Sequence, residues 1–402
     1  MKLSEELAWR GFEAQNTLKD IKQLDDRKYT FYFGVDPSDN SMTIGNLAGL
    51  MLVKTFIRHG HKPYLLAGGA TGMIGDPKDT SERSLKTLEE IDTNKKAILG
   101  QFTRIVGGYV PLVDNYDWFK DIELLPFLRD IGKQFSMTQL LDRDFVKSRI
   151  GEGKSGISYA EFSYSLIQGY DFLHLYREYG VNMQLCGADQ WGNCISGMHL
   201  IKRLEGADVD VFACPLIVDK VSGRKFGKSE GNAIWLDPER TSVFDFYQFW
   251  LNVDDDGVED YMKVYTVIDP DEVEEIMRLH RDNPSARGAQ KALALGVTEV
   301  VHGRDAAVNA AHITNVLFGD GDITDLSKSG IKLLSGTIPT SKTGSTVVEA
   351  LLSANLATSR SEAIRLIGGN GVSVNGEKIA EDMKVKSLSL IKKGKNQFIL
   401  VK

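Results

Sequence analysis

Long apolar runs and paired cysteines are both missing from this chain of 402 residues. No apolar stretch approaches the ~20 residues that span a bilayer, and the acidic start MKLSEEL has no signal-peptide core. The three cysteines, Cys186, Cys194 and Cys214, are widely spaced and form no CxxC pair, so neither a zinc ribbon nor a disulfide framework is supported. We therefore expect a cytoplasmic protein with no membrane partner.

The chain also lacks an excess of positive charge. It has 48 Lys and Arg residues and 55 Asp and Glu residues, which gives a net charge of −7. Taken whole, that balance argues against a nucleic-acid partner. The charge is unevenly distributed, however. The segment from Lys328 to the end has 12 basic and 5 acidic residues, a net of +7, and the rest has 36 basic and 50 acidic residues, a net of −14. The acidic body and the basic tail therefore call for different explanations.

A strand, a helix and a second strand follow one another early in the chain. The string YTFYFGV (Tyr29–Val35) predicts a buried strand, residues 44–59 predict an amphipathic helix, and PYLLA (Pro63–Ala67) predicts a strand that opens onto a glycine loop. This is a βαβ unit with a parallel pair of strands. We expect an α/β protein with a Rossmann-like, doubly wound parallel sheet, whose ligands bind at the carboxyl ends of strands.

The rest of the chain divides into segments with different residue patterns. Helical patterns cover 81–106 and 160–179, strand patterns cover 183–185 and 211–218, and charged helices follow at 271–281, 286–302 and 306–317. Residues 328–345 are rich in Ser, Gly and Thr, which is typical of a linker. We predict four segments: a Rossmann-like catalytic domain over 1–240, a helical domain over 241–325, a linker over 326–345 and a small α+β domain over 346–402.

Two glycine-containing turns follow the predicted strands. DPSDNSMTIGNL (Asp36–Leu47) stands where a strand becomes a helix, and a helix N-terminus favours phosphate groups. The alternative is that Thr43 simply caps the helix. GGATGMIGDP (Gly68–Pro77) permits close approach of a ligand, with Asp76 able to hold an ammonium group, or it is an ordinary glycine turn.

Two further clusters are polar. Tyr164, Gln168 and Asp171 are spaced i, i+4, i+7 and share one face of a helix with buried character. Such side chains require hydrogen-bond partners, either from a polar ligand or from the core. KFGKS (Lys225–Ser229) carries two lysines on a glycine loop, which can follow a migrating phosphate charge or form a solvated surface turn.

Taken together, these segments resemble the class I aminoacyl-tRNA synthetases, and among them the bacterial tyrosyl enzymes. Residues 43–46 (TIGN) occupy the place of the HIGH motif, and KFGKS resembles the KMSKS motif. Longer strings match in order: GGATGMIGDP, NYDWF, FLRDIGK, EFSYSLIQGYDF, ADQWGN and TSVFDFYQFW. The resemblance implies activation of tyrosine by ATP to tyrosyl-adenylate and pyrophosphate, and then transfer of the tyrosyl group to the terminal ribose of tRNA.

The resemblance also implies roles for individual residues. Tyr32 and Asp171 would hold the phenolic hydroxyl of tyrosine, and Asp76, Tyr164 and Gln168 would bind its ammonium group. The implied tyrosyl, ribose and adenine contacts are Gly34, Asp36, Gly45, Gly187, Asp189 and Gln190. The implied phosphate contacts are Ser38, Thr43, Asn46, Arg83, Lys225, Gly227, Lys228 and Ser229. Mg²⁺ would accompany ATP, and no dedicated metal cage is expected.

Two positions depart from the family pattern. Ser38 stands where the family has threonine, and Thr43 stands where it usually has the first histidine of HIGH. Threonine donates one neutral hydrogen bond and cannot become cationic. If Thr43 weakens the contact with the γ-phosphate, activation should be slower while tyrosine binding changes little.

The basic tail resembles an S4-type RNA-binding domain. The resemblance covers residues 347–378, and Arg360, Arg365, Lys378 and the lysines of 384–395 would contact phosphates. The family also implies a homodimer, with the FLRDIGK stretch near Phe127 in the interface, and tRNA(Tyr) as the partner.

Three rival hypotheses remain at this point. A catalytically weakened relative that binds RNA would explain Thr43, but it leaves the retained Lys225 and Lys228 unexplained. The related tryptophanyl enzyme is disfavoured by Tyr32 with Asp171, because an indole has no phenolic hydroxyl. A nicotinamide dehydrogenase is disfavoured because no GxGxxG follows the first strand.

Overall fold

The computed structural model describes residues 1–76, 86–141, 144–151, 154, 156–218, 220, 223, 228–229 and 232–402. These residues form two compact units. The first unit contains 1–237 and 259–266, and the second contains 238–258 and 267–402. Within the described ranges, no helix is both long enough and apolar enough to cross a membrane.

The first unit alternates helices with the strands of a six-stranded main sheet, and it also contains a separate two-stranded sheet, Lys228–Ser229 with Asn232–Ala233. Its helices are α1 (Leu3–Arg10), α2 (Gln23–Asp26), α3 (Ile44–Arg58), α4 (Thr71–Ile74), α5 (Leu88–Val106), α6 (Tyr116–Phe119), α7 (Leu124–Asp130), α8 (Met137–Leu141), α9 (Asp144–Arg149), α10 (Tyr159–Tyr179) and α11 (Trp191–Glu205). Its strands are β1 (Gln15–Asn16), β2 (Thr30–Val35), β3 (Lys62–Ala67), β4 (Leu112–Asp114), β5 (Met183–Gly187), β6 (Asp210–Cys214), β7 (Lys228–Ser229) and β8 (Asn232–Ala233).

The main sheet has the strand order β1-β6-β5-β2-β3-β4. Strands β2 to β6 pair in parallel, and only the two-residue edge strand β1 pairs antiparallel. From β2 the chain runs outward through β3 and β4, and then returns to the other side of β2 for β5 and β6. The order therefore reverses between β2 and β5, which is the position where doubly wound sheets bind ligands. This confirms the predicted α/β class and the βαβ unit.

The predicted elements of this unit agree with the structure in type. The helix expected over 81–106 begins at Leu88, and the first part of that prediction, 81–85, lies outside the described residues. Helix α3 ends at Arg58, one residue before the expected end, and α10 begins one residue early, at Tyr159. The strand expected over 211–218 ends at Cys214. Its register partner on β5 is Gly187, where β5 itself ends, so the ladder has no further partner there. Element types follow from apolar periodicity, but ends depend on pairing.

A buried ion pair fixes the start of α10. The Arg149 guanidinium donates from two nitrogens to both oxygens of Glu161, at 2.7 and 2.9 Å, and both side chains are almost fully buried. Ser158 caps the same helix end, because its hydroxyl accepts from the Glu161 amide at 3.3 Å. The helix that carries Tyr164, Gln168 and Asp171 is thus anchored at its N-terminus.

The second unit is helical and then mixed. Its helices are α12 (Val243–Leu251), α13 (Asp255–Tyr265, shared with the first unit), α14 (Pro270–Asp282), α15 (Gly288–His302), α16 (Arg304–Phe318), α17 (Lys328–Thr337), α18 (Val347–Ser353) and α19 (Arg360–Gly368). Its strands are β9 (Thr340–Ser341), β10 (Val372–Val374), β11 (Glu377–Lys378), β12 (Ser389–Lys393) and β13 (Gln397–Val401), in the order β11-β10-β12-β13-β9.

The predicted linker over 326–345 is wrong for residues 328–337, which form α17. Ser327 caps this helix by accepting from the Gly330 amide at 3.0 Å, and Leu334 is fully buried. Leu334 belongs to one core cluster with Ile313 of the helical segment and Leu400 of the C-terminal sheet. Composition indicated a linker because Ser and Gly are frequent there, whereas the few apolar residues at helical spacing decide the outcome.

His61 makes the stability of the first unit dependent on pH. Burial lowers the pKa of His61 from 6.5 to about 4, and the charges of Lys28 and His59 add to this, while Nδ1 accepts from the Tyr29 amide. The unfolded chain therefore binds the proton first, and stability falls as the pH drops from 6.5 toward 4. The shift corresponds to a loss of about 2 kcal/mol between pH 7 and 4.5.

The His61→Asn variant should lose that part of the pH dependence. Its amide oxygen can still accept from Tyr29, but it does not titrate. Urea unfolding at pH 7 and 4.5 measures the difference. The same change at the exposed His199 should leave the pH dependence as in the unchanged protein. Equal pH dependence in all three proteins would contradict the assignment.

Candidate active site

The site lies where the parallel strands end. Residues Val35 and Ala67 are paired in register at the ends of β2 and β3, and Ala67 is paired with Asp114 at the end of β4. On the other side of β2, strand β5 runs into a tight turn, Ala188–Gln190. The loops after four strands therefore meet along one edge of the sheet.

Asp36 is the first carboxylate of this edge. It accepts a hydrogen bond from the Thr71 hydroxyl at 2.7 Å and one from the Tyr164 hydroxyl at 2.8 Å. Burial raises the pKa of Tyr164 well above its ordinary value, and the charges of Asp36 and Asp76 act in the same direction. Tyr164 therefore stays a neutral phenol whose hydroxyl donates a hydrogen bond to Asp36.

Asp171 is the second carboxylate, and it is almost completely buried. Asn115 Nδ2 donates to Oδ2 at 3.1 Å, and Trp118 Nε1 donates to Oδ1 at 3.0 Å. Burial raises the pKa of Asp171 well above its ordinary range, and the two N–H donors oppose this. Both oxygens accept from N–H groups, which stabilises the ionised form against burial and against the charges of Asp36 and Asp114.

Two polar atoms at this site are buried without a partner among the described residues. They are the hydroxyl oxygen of Tyr32 on β2 and Oε1 of Gln168 on α10. Burial, with the charges of Cys194 and Asp171, raises the pKa of Tyr32, so its hydroxyl keeps its proton. A buried polar atom without a partner costs ~1–3 kcal/mol. These atoms are therefore what a polar ligand in the site would satisfy.

Asp76 forms a third group at the other side of the site. Its Oδ2 accepts from Gln190 Nε2 at 2.8 Å, and Asn193 Nδ2 donates to Gln190 Oε1 at 3.1 Å. Ser165 on α10 donates to Asn193 Oδ1 at 2.8 Å. The glycine turn, the end of β5 and helix α10 are therefore connected by side chains.

The glycine turn after β3 packs directly against the carboxylates of Asp36 and Asp114. A Cβ at Gly68 would overlap the Asp36 carboxylate and the Thr71 hydroxyl, and one at Gly69 would overlap Asp114. The Gly69 amide donates to Asp114 Oδ1 at 3.1 Å, and Lys95 pairs with Oδ2 at 2.7 Å. Glycine at these two positions lets the Asp36 and Asp114 side chains lie against the backbone of the turn, so the turn is more than an ordinary connection.

The TIGN segment begins α3, and Thr43 is its N-cap residue. Asn46 Oδ1 accepts from the Thr43 amide at 3.0 Å and from the Thr43 hydroxyl at 3.2 Å. Thr43 is also bridged to Trp235, and the Met42 carbonyl accepts from the Leu236 amide at 2.9 Å. The segment around Trp235 and Leu236, which follows the KFGKS string in sequence, thus pairs with the start of α3.

The other predicted site residues are placed as follows. Gly34 stands at the end of β2, where a Cβ would have room, and the Ser38 amide donates to the Asp36 carbonyl at 2.8 Å. Gly45 lies in the first turn of α3, and Gly187 and Asp189 lie at the end of β5. Arg83, Lys225 and Gly227 lie outside the described residues. The backbone of Lys228 and Ser229 pairs antiparallel with Asn232 and Ala233.

Four site residues were missed by the sequence reasoning. Thr71, Asn115, Trp118 and Asn193 form hydrogen bonds that hold the three carboxylates. A signal was available for Asn115 and Trp118, because the NYDWF string directly follows the short strand β4.

The predicted RNA contacts lie in the second unit. Arg360 and Arg365 are on α19, Lys378 is on β11, and all three are exposed.

Comparisons with known proteins agree with this geometry. The family model described as "tRNA synthetases class I (W and Y)" matches residues 24–319. The chain is 42% identical over 422 aligned positions to a protein of Bacillus anthracis named "Tyrosine--tRNA ligase 2", and the alignment covers 100% of both chains. It is 40% identical to the "Tyrosine--tRNA ligase" of Levilactobacillus brevis, with 100% of this chain and 99% of that protein covered.

A similar solved structure is a C-terminally truncated mitochondrial tyrosyl-tRNA synthetase of Aspergillus nidulans. It superimposes with a TM-score of 0.70 at 29% identity, over 79% of this chain and 94% of that one. The switch-point site, the family match over residues 24–319 and the full-length relatives lead to one conclusion: this chain belongs to the class I tRNA synthetases of the tryptophan and tyrosine group.

Proposed function

We propose that this chain is a tyrosine–tRNA ligase. It activates tyrosine with ATP to tyrosyl-adenylate and pyrophosphate, and transfers the tyrosyl group to the 3′-terminal ribose of tRNA(Tyr). One observation carries the proposal. A buried carboxylate, Asp171, stands beside a buried phenol, Tyr32, whose hydroxyl has no partner within the described part of the chain.

The pair is suited to a substrate that carries a hydroxyl on a ring. The tyrosine hydroxyl donates to Asp171 and accepts from Tyr32, so the buried Tyr32 hydroxyl gains its missing partner. Phenylalanine would leave the Tyr32 hydroxyl without a partner, and an indole has no atom that both donates and accepts. The pocket therefore selects tyrosine by hydrogen bonding and not by size alone.

The ammonium group of the substrate falls among the remaining polar side chains. Asp76, Tyr164 and Gln168 supply acceptors, and Gln168 Oε1 is buried without a partner among the described residues. Asp36 and Gln190 lie next to them through the hydrogen bonds already given. An ammonium with three donors satisfies this set, and it orients the carboxylate of tyrosine toward ATP.

ATP enters from the carboxyl ends of β2 and β5. Gly34, Gly45, Gly187 and Asp189 line the ribose and adenine positions. Ser38, Thr43, Asn46 and Arg83, with Lys225, Gly227, Lys228 and Ser229, hold the phosphates. Mg²⁺ arrives with ATP as part of the substrate. The tyrosine carboxylate attacks the α-phosphate in line, and the developing charge on pyrophosphate is stabilised by these cations and amides.

The chain acts as a homodimer, through the surface of α7. Leu124, Leu125 and Leu128 are exposed on this seven-residue helix, although leucine is normally buried. A second copy would cover them, which is a general reason for apolar residues on a surface. The residues belong to the FLRDIGK region, where the family resemblance puts the interface.

The exposed basic residues Arg360, Arg365 and Lys378 of the second unit bind tRNA in an S4-like manner. The net charge of +7 beyond Lys328 supports this, because phosphate neutralisation supplies most RNA affinity.

Transfer of radiolabelled tyrosine to tRNA(Tyr) tests the proposed function. We expect ATP-dependent charging with tyrosine, and no charging with phenylalanine. Absence of charging in the presence of adenylate formation would leave an activating enzyme that is not a ligase for this tRNA. Absence of both would favour the weakened, RNA-binding relative.

Thr43 should limit the first step. Its hydroxyl donates to Asn46, so it has no second proton for the γ-phosphate of ATP. A Thr43→His variant should form tyrosyl-adenylate about tenfold faster, with the dissociation constant for tyrosine unchanged, as measured by stopped-flow fluorescence. Thr43→Ser, which keeps the cap, is the control and should behave as the unchanged protein. A histidine variant that is no faster would contradict this role.

A further inference from the structure

We propose that His174 is a positioning residue of the tyrosine pocket, whose imidazole holds the Trp118 indole where its Nε1–H donates to Asp171. The inference rests on the proposed function, because the phenol subsite is what it affects.

One helix provides both contacts to the indole. Asp171 and His174 are one turn apart on α10, so their side chains project from the same side of the helix. The rings of His174 and Trp118 are stacked, with centroids 4.3 Å apart and an angle of 22° between planes. Asp171 Oδ1 receives the indole N–H at 3.0 Å. The indole is therefore fixed at its nitrogen by one residue and on its face by the other.

Trp118 depends on this stacking because its own element holds it weakly. It lies on α6, a helix of only four residues, none of which is fully buried. A helix this short has little stability of its own. Stacking on the long, capped helix α10 therefore helps to orient the ring, together with its hydrogen bond to Asp171 and its packing against the core cluster of Tyr32 and Phe172.

The orientation matters for the substrate. If the indole rotates, Asp171 Oδ1 loses the donor that aims it, and burial then favours the protonated acid. A protonated or rotated carboxyl accepts poorly from the hydroxyl of tyrosine. Phenylalanine has no hydroxyl and would not sense the change.

The His174→Ala variant is expected to raise KM for tyrosine about threefold to tenfold in pyrophosphate exchange, the size of one lost aromatic pair. We expect kcat within twofold and KM for ATP unchanged, since α10 holds no phosphate contact. His174→Phe keeps the stack and should restore KM for tyrosine. His199→Ala, at an exposed histidine of α11, is the matched control and should have no effect.

A double-mutant cycle separates positioning from a loss of fold. Trp118→Phe removes the N–H but keeps a ring, so adding His174→Ala to it should change KM for tyrosine less than twofold further. Full additivity of the two changes, or failure of His174→Phe to restore KM, would overturn the inference. Absence of tyrosine-dependent exchange in the unchanged protein would instead refute the proposed function, which keeps the two failures apart.

Discussion

Replacing Asp171 with asparagine should reduce kcat/KM for tyrosine about a thousandfold and leave the much lower value for phenylalanine almost unchanged. The carboxylate accepts from Asn115 and Trp118 and, in our proposal, from the tyrosine hydroxyl. Asparagine replaces one of these acceptor oxygens with an NH2 group. That group is itself a donor, so it repels the N–H or O–H donor that faces it. Sites built for a hydroxyl discriminate by ~10⁴–10⁵, a range for which tyrosyl-tRNA synthetases are themselves the standard example.

Asp117→Asn is the matched control for this experiment. It is the same change on the neighbouring helix α6, at a side chain that is 71% exposed. We expect discrimination between tyrosine and phenylalanine to be retained there. If Asp171→Asn keeps the tyrosine preference of the unchanged protein, the carboxylate does not read the phenolic hydroxyl.

Reversing the charge of Arg360, Arg365 and Lys378 together to glutamate should reduce tRNA charging about a hundredfold at physiological salt. The logarithm of tRNA affinity should also fall less steeply with the logarithm of salt concentration, by ~0.7–0.9 for each phosphate that the variant no longer neutralises. Tyrosine-dependent pyrophosphate exchange should remain within twofold, because the pocket residues all belong to the first unit.

Charge reversal is a better test than removing the tail. Leu390, Phe398 and Leu400 of the C-terminal sheet share a core cluster with Phe244 and Ile313 of the helical segment. Deleting residues from Lys328 onward would expose that core and confound the removal of RNA-binding residues with unfolding. Reversal of three exposed lysines of the first unit, Lys2, Lys96 and Lys202, is the charge-matched control. Equal loss of charging in both triple variants would contradict a specific basic surface.

Much of the fold was predictable because its signals are local. The β-branched and aromatic residues of Tyr29–Val35 indicated a buried strand, and the periodicity after Ile44 indicated the helix that follows it. The parallel pairing of β2 with β3 follows from the short helical connection between them. Strand order across the switch point depends on long-range pairing, and no local signal encodes it.

The site was predictable in part. The spacing of Tyr164, Gln168 and Asp171 put them on one helix face, and the structure has Tyr164 and Asp171 buried on that face. What the spacing could not show is that Tyr164 donates to Asp36, 128 positions earlier. Trp118 was not predicted as a site residue for a different reason: an aromatic residue on a short helix more often belongs to the core. The basic charge of the tail was visible in composition, but its shared core with the helical segment was not.

ATP–pyrophosphate exchange with tyrosine, phenylalanine and tryptophan compared side by side tests the central claim, that a buried carboxylate and phenol select a substrate by its ring hydroxyl. We predict exchange with tyrosine, and rates lower by ~10⁴ or more with the other two amino acids. Equal exchange with phenylalanine or tryptophan, or no exchange with tyrosine, would contradict it.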